Sequence, residues 1–415
     1  MSHARWMFVG LLGGAVAGLA IARLAPAAAG PVVAVAGPLG TLWLNALQMT
    51  VAPLVVSLVV VGVAQAADIA ATGRIARRAL AGILVLSATS AGLTAVLTPW
   101  LLAAVPRSTA SMAAIDAAAA AAPPPAGLQP PAASITALVP TNVVAAAASG
   151  AIAPLVLFSL CFGAALATLE PDRRAPVVGL AQTVAEVMTR IVAWVLRFGP
   201  IGVAALILPF TVRAGGAVLG ALVVYVLLLI AVYLVITALL YALVRLGGGE
   251  PVGRFAAAIL PAQAVAAGTQ SSLASLPAML EAARRLGYPA PVGGLVLPLA
   301  VSLFRVTSPA QYVAVVGFIA WSHGIALAPS VVVVVILLSV VISLGAVGLP
   351  GQASFMGTVL PVVQAACLPV EPLGLLLAVD LVPDVFATVG NVTGDLALTS
   401  RIARTEALRA AEART

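Results

Sequence analysis

Six apolar segments follow one another before residue 250, at about 7–29, 38–66, 79–105, 140–168, 178–210 and 214–246. A helix needs about 20 apolar residues to cross a bilayer core, so each segment is long enough to span one. Inside hydrocarbon every backbone polar group must be satisfied by the protein itself, which leaves helices or closed barrels. Apolar runs of this length read as helices. The chain is 62% hydrophobic and 8% charged, where soluble domains carry about 25% charge, and its mean hydropathy is +1.18. Its 415 residues have room for roughly eight to ten spans. The fold class expected is therefore an all-α polytopic membrane protein. A soluble enzyme with one anchor is excluded.

All 20 basic residues are arginines, and the formal net charge is +7. In a soluble chain that balance would suggest nucleic acid. Here the arginines sit mostly at span ends, so the preference of cytoplasmic loops for positive charge explains them, and no nucleic-acid partner is expected. Arg5 precedes the first span, and Arg74, Arg77 and Arg78 follow the second. Arg173 and Arg174 follow the fourth, and Arg245 and Arg254 follow the sixth. Arg401, Arg404, Arg409 and Arg414 follow the last. Both termini are then expected in the cytoplasm of a multi-pass protein of a bacterial inner (plasma) membrane. The apolar N-terminal run is too long for a signal peptide and reads as the first helix. Residues 106–139 are an Ala/Pro-rich surface connector with no chemistry.

The stretch after Arg254 breaks simple counting. About 30 apolar residues run from there to Arg284 and Arg285, and both flanks carry the cytoplasmic mark. A single crossing would put one flank outside, so the segment is expected to enter and return, with its tip at GTQSSLAS. Non-helical backbone at membrane depth is tolerated where it is buried in protein or lines a cavity. Ser271, Ser272 and Ser275 at such a tip offer donors to a ligand. A second interruption, SLGAVGLPGQAS, lies within 330–370, where Gly and Pro break a helix. Paired interruptions of this kind point to a transporter site built from inverted repeats. The expected repeat is 252–286 with 288–322, and 330–370 with 372–400.

The last apolar segment, 372–398, carries Asp384, Thr388, Asn391 and Asp395. Steps of four, three and four place them on one helical face. Carboxylates in a membrane span are costly and mark a solute or ion site. Asp380 lies on the same face and can pair with an arginine or bind a proton. Cys161 and Cys367 fall in apolar runs and read as small buried hydrophobes. His323 is alone at a span end, and Glu186 reads as a helix-end charge.

These features together resemble the dicarboxylate/amino acid:cation symporter family, the relatives of glutamate transporters. NALQMTVAPLVVSLVVVGVA is similar to the family's second helix, NVVAAAASGAIAPLVLFSLCFGAALA to its fourth and EVMTRIVAWVLRFGPIGVAALI to its fifth. GTQSSLASLP and GLPGQAS stand where the family has its two hairpin tips, and NVTGD is intact. The resemblance implies eight transmembrane helices and two re-entrant helical hairpins, assembled as a homotrimer in membrane lipid. It implies scaffold helices in 1–78 and 140–213. A mobile transport domain is implied in 79–105 and 214–400, followed by a cytoplasmic tail at 401–415. That domain would move like an elevator, with the second hairpin as gate. Position by position, it implies a substrate site at Ser271, Ser272, Ser308, Gly348, Asp384, Thr388 and Asn391, and Arg305, a departure from the family, is added to it as a candidate. The implied ion-coupling residues are Thr89, Ser90, Ser302, Asn391 and Asp395, with a sodium ion expected at Asn391, Asp395 and Ser302 if sodium is used, and Asp380 joins them from its place on the helical face.

The departures are specific. Where many members carry an arginine three residues after the first aspartate, this chain has Ala387. The family's Asn-Met-Asp-Gly-Thr stretch is replaced by Phe304, Arg305, Val306, Thr307 and Ser308, and a tyrosine of the third helix by Leu86. Hard cations need several oxygen ligands, so these losses deplete the sodium sites. Arg305 either supplies the missing positive charge or binds an anionic substrate. The expected protein is a symporter of a small amino acid or dicarboxylate. It has no prosthetic cofactor, and a proton or sodium ion is the co-transported species. Coupling is expected to be to protons, or weak. The alternative is a non-transporting sensor or an anion channel on the same fold. No HExxH, GxSxG or metal cluster suggests an enzyme.

Overall fold

The structure is a computed structural model describing residues 3–71, 73–105, 139–149, 151–214, 217–248, 250–345 and 351–412. Its regular structure is helical throughout these residues. The first half holds α1 (His3–Leu24), α2 (Pro26–Gln48), α3 (Val51–Ala71), α4 (Arg74–Ala103), α5 (Val143–Ala148), α6 (Ile152–Ala167), α7 (Pro171–Arg197) and α8 (Gly199–Ala214). The second half holds α9 (Ala217–Leu243), α10 (Val252–Thr269), α11 (Ser272–Arg285), α12 (Ala290–Leu303), α13 (Thr307–Ser322), α14 (Pro329–Gly345), α15 (Gly351–Ala365), α16 (Pro372–Val379) and α17 (Leu381–Glu412). Among the described residues, 5 helical stretches are long and apolar enough to cross a membrane, or 6 if α16 and α17 make one span bent by 67°. The second half of residues 330–370 is α15, and the expected hairpin tip at 346–350, with Gly348, lies outside the described residues.

Proline positions explain the breaks. Pro53, Pro309 and Pro383 each stand third in α3, α13 and α17. A proline there lacks the N–H that would reach back to the preceding helix and clashes with the carbonyl four residues earlier. The chain therefore breaks at Met49–Thr50, at Phe304–Val306 and at Asp380. The last break was not expected, since 372–400 reads as one span. The turn between α10 and α11 has another cause. Gln270 takes a left-handed conformation (φ 51°) and Ser271 caps α11, accepting from the Ala274 N–H at 3.2 Å. The two helices then pack against each other.

Packing separates the helices into two groups. α1 and α2 lie on α8, and α3 lies on α6 and α7. In the second group α4 packs on α13, α9 on α17, and α10 and α12 on α17. α14 and α15 touch α3 of the first group, and α16 touches α8.

Close approach of α1 to α8 depends on Gly10, Gly14 and Gly18, spaced by four. Small residues at that spacing let membrane helices come together. A Cβ on Gly14 would lie 2.6 Å from Ile207 Cγ2 and 2.7 Å from the Ala204 carbonyl oxygen, whereas one on Gly13 would meet nothing within 4 Å. Gly14→Leu is therefore expected to destabilise the protein by about 1–3 kcal/mol. Gly13→Leu should be tolerated. Thermal melts of the two purified variants in detergent check this.

Two smaller expectations change. Glu186 is exposed in the middle of α7, so it is not a helix-end charge. Cys161 is exposed on an apolar helix while Cys367 is half-buried, so Cys161 is not part of the core. Beyond Arg401 the chain stays helical to Glu412. Glu406 there pairs with Arg74 at 2.7 Å and with Arg78, tying the start of α4 to the end of α17.

Candidate functional site

The three interrupted regions meet at one cavity of about 280 Å³. The α10–α11 turn supplies Gln270, Ser271, Ser272 and Leu273. The α12–α13 break supplies Val301, Ser302, Arg305, Thr307, Ser308, Gln311 and Tyr312. Asp380, Asp384, Ala387, Thr388 and Asn391 line it from the α16–α17 bend onward, and Phe355 comes from α15.

The NVTGD motif shows how α17 holds this arrangement. Asn391 Oδ1 accepts from the Thr307 N–H at 3.0 Å and from Thr307 Oγ1 at 2.9 Å. This satisfies an orphan donor at the start of α13. Thr393 accepts from Gln263 Nε2 at 2.9 Å, and the same amide donates to Tyr241 at 3.1 Å. That bond ties α17 to α10. Gly390 and Gly394 let the broken backbone approach: a Cβ on Gly390 would lie 2.8 Å from Thr307 Cγ2, and one on Gly394 3.0 Å from Val306 Cγ1. Ser90, on α4, donates to the Val306 carbonyl at 2.6 Å, tying α4 to the backbone of the break. Gly390→Val is expected to push the break off α17. Solute binding should weaken at least about tenfold, following an overpacking cost of about 1–3 kcal/mol, as titration of the purified variant would read.

The charges are unevenly paired. Asp380 accepts from Gln311 Nε2 at 2.8 Å. Asp395 is fully buried, and neither of its carboxylate oxygens has a hydrogen-bond partner among the described residues. Such a group needs a proton or a counter-charge. Arg305 is half-buried and within electrostatic reach of Asp384 and Asp395. Among the described residues no ion pair holds it. One guanidinium thus stands within reach of two carboxylates, and a third, Asp380, lines the same cavity.

Nine of the sequence-derived site residues line the cavity: Ser271, Ser272, Ser302, Arg305, Ser308, Asp380, Asp384, Thr388 and Asn391. Asp395 lies one helical turn beyond Asn391 and does not line it. Ser90 acts on the backbone beside it. Thr89 is exposed, its hydroxyl bonded to the Val85 carbonyl of its own helix at 2.7 Å, and is not brought to the cavity. Gly348 lies outside the described residues. Gln270, Gln311, Tyr312 and Phe355 were not anticipated. For the two glutamines a signal existed: each is an amide beside a helix break in an apolar segment. Gln270 Nε2 donates to the Leu381 carbonyl at 2.9 Å, bracing the α10–α11 turn against the start of α17.

A cavity of charged and polar groups among broken apolar helices defines a membrane transport protein rather than an enzyme. Residues 4–405 match the Sodium:dicarboxylate symporter family, and the chain belongs to that family. It is 28% identical over 379 residues to the proton/glutamate-aspartate symporter of Escherichia coli (strain K12), covering 90% of this chain and 86% of that protein. It is 30% identical to C4-dicarboxylate transport protein 2 of Ralstonia nicotianae, covering 89% and 83%. It is 31% identical to the C4-dicarboxylate transport protein of Cupriavidus taiwanensis, covering 86% and 82%.

Proposed function

We propose that this chain is a proton-coupled symporter of a small amino acid or dicarboxylate in a bacterial inner membrane. The observation that carries this reading is Arg305 at the α12–α13 break, held by no ion pair among the described residues and within reach of Asp384 and Asp395, with Asp380 lining the same cavity. A fixed guanidinium is always charged, so it supplies without an ion part of the charge that a bound cation would bring. Phe304 and Val306 flank it and offer no side-chain oxygen to a hard cation. Two carboxylates remain in excess of the one arginine, and protons entering with the solute balance them.

The family's architecture comes with this reading: eight spans, two re-entrant hairpins, a homotrimer, both termini cytoplasmic and an elevator movement. The two packing groups support the division. α1–α3 and α5–α8 correspond to the scaffold of 1–78 and 140–213. Arg74 and Arg78, at the end of the 1–78 stretch, are joined to α17 through Glu406, so in this reading the scaffold ends before α4 and the whole of α4 moves with the transport domain.

Purified protein in proteoliposomes tests the function. Uptake of labelled amino acids and dicarboxylates is measured under imposed proton or sodium gradients. Accumulation driven by an inward proton gradient is the expected result. Failure across the whole panel under both gradients overturns the reading in favour of a sensor or an anion channel.

A further inference from the structure

A second cavity, of about 720 Å³, is more than twice the size of the solute cavity and shares none of its residues. It lies between α4, α13 and α14, three helices that all touch one another. α4 lines it with Ala95, Thr98 and Leu102, and α13 with Val313, Gly317 and Ala320. Each set is spaced by three and four, on one helical face. α14 closes it with Val332 and Val335. Among the described residues none that lines it is charged, and Thr98 brings its one side-chain hydroxyl.

The mouth opens where lipid lies. α4 is long and apolar enough to cross a membrane. Pro99 and Ala103 line the cavity and are exposed, and on the same helix Val96 and Trp100 are 70% and 71% exposed. Val333 and Leu337 stand exposed on α14. The cavity is thus continuous with an apolar surface that a bilayer covers. Its depth follows from Ser90, which bonds the α12–α13 break. Helix breaks that form transporter sites lie near the bilayer midplane. Thr98 is eight residues further on, about 12 Å along the helix, and half a hydrocarbon core is about 15 Å. Thr98 therefore sits just inside the boundary where acyl chains meet their ester groups. Trp100, two residues beyond, stands at the level where tryptophan is enriched.

Thr98 is 1% exposed, and its Oγ1 has no hydrogen-bond partner among the described residues. Thr89 and Thr94 of the same helix each donate to the carbonyl four residues back, and Thr98 does not. A buried hydroxyl left without a partner is costly. Gly317, where a Cβ would lie 2.6 Å from Thr98 Cγ2, lets the threonine methyl lie against α13. The hydroxyl is left as a donor at the cavity wall.

We propose that this cavity binds one acyl chain of a membrane phospholipid, with the ester carbonyl accepting from Thr98 Oγ1. Arg74, Arg77 and Arg78 begin α4, so the lipid belongs to the leaflet away from the cytoplasm. Three helices in mutual contact leave a slot for an unbranched chain and none for a further helix, which is about 10 Å across. Gln311 and Tyr312 of α13 line the solute cavity and Val313 the lipid one, so the chain braces that helix from behind. The proposal needs the membrane location and not the solute, so its failure leaves the symporter reading standing.

The test is photolabelling of the full-length protein in proteoliposomes of phosphatidylcholine and phosphatidylethanolamine. The probe is a phosphatidylcholine with a diazirine near the top of one acyl chain, and labelled peptides are mapped by mass spectrometry. Labelling of 95–103 and 313–321 is expected to exceed that at the exposed Val187 and Leu227 by at least about fivefold. Ala320→Phe and Ala95→Phe fill the cavity from opposite walls. In either variant that melts with the parent, the excess is expected to vanish. An ether-linked probe, which lacks the carbonyl, is expected to label the parent cavity about two- to tenfold less. Thr98→Val is expected to label equally with both probes. Even labelling of all exposed apolar helix faces overturns the proposal. So does an unlabelled cavity, whether empty or covered by residues 106–138 or by a second copy of the chain. Excess labelling that persists in the filled variants, or equal labelling of the parent by the two probes, overturns it as well.

Discussion

Arg305→Met is expected to lower solute uptake by about a hundredfold. The side chain lines the cavity and is the nearest cation to Asp384 and Asp395. Removing one member of a buried charge group costs about 2–5 kcal/mol, mostly because the partner is left uncompensated. At 1.4 kcal/mol per factor of ten, that range includes a hundredfold loss. Two controls separate the arginine's roles. Arg305→Lys keeps the charge but loses the planar fork, so intermediate activity is expected. Added sodium is expected to restore part of the methionine variant's binding, because a mobile cation can then enter where the fixed one stood. A methionine variant that binds as well as the parent, without sodium, contradicts the assignment.

Asp395→Asn is expected to raise the melting midpoint while uptake falls. The carboxylate is fully buried with both oxygens unpartnered among the described residues. Asp384 and Asp395 share one guanidinium, so losing one brings the cluster nearer neutrality. A buried charge without a hydrogen-bond partner is costly, and a neutral amide of the same shape relieves part of that cost. An amide keeps the shape and the polarity but gives up the charge that balances a co-transported proton. Opposite movement of stability and activity is the signature of a residue held for function. Parallel losses in both would mean that Asp395 is a structural anchor.

Sequence made the centre of the site legible and its rim illegible. Asp380, Asp384, Thr388, Asn391 and Asp395 stood out because charge in an apolar span is costly and persists where a solute or ion needs it. Arg254 and the pair Arg284–Arg285 marked the α10–α11 segment because both flanks carried the same sign. Pro309 carries in its missing N–H the signal for the break before it. Pro383 carries the same signal for the bend at Asp380, but the unbroken apolar run around it masked the bend. Thr89 shows the limit of sequence reasoning. Its neighbour Ser90 is buried and bonded to the break, and one residue on a helix turns a side chain by about 100°. Sequence does not set that phase when both faces are apolar. Phe355 reaches the cavity from a helix far along the chain, which only the folded packing reveals. The glycines of α1 carried no distinct signal, because small residues are common in membrane helices and their effect depends on the partner surface.

The most direct measurement is the initial rate of solute uptake at fixed pH, under a constant inward proton gradient, as sodium is raised from none to saturation. A fixed guanidinium in place of a bound cation predicts a rate that does not change with sodium in the parent protein. A rate that is negligible without sodium and climbs steeply with it would contradict that account.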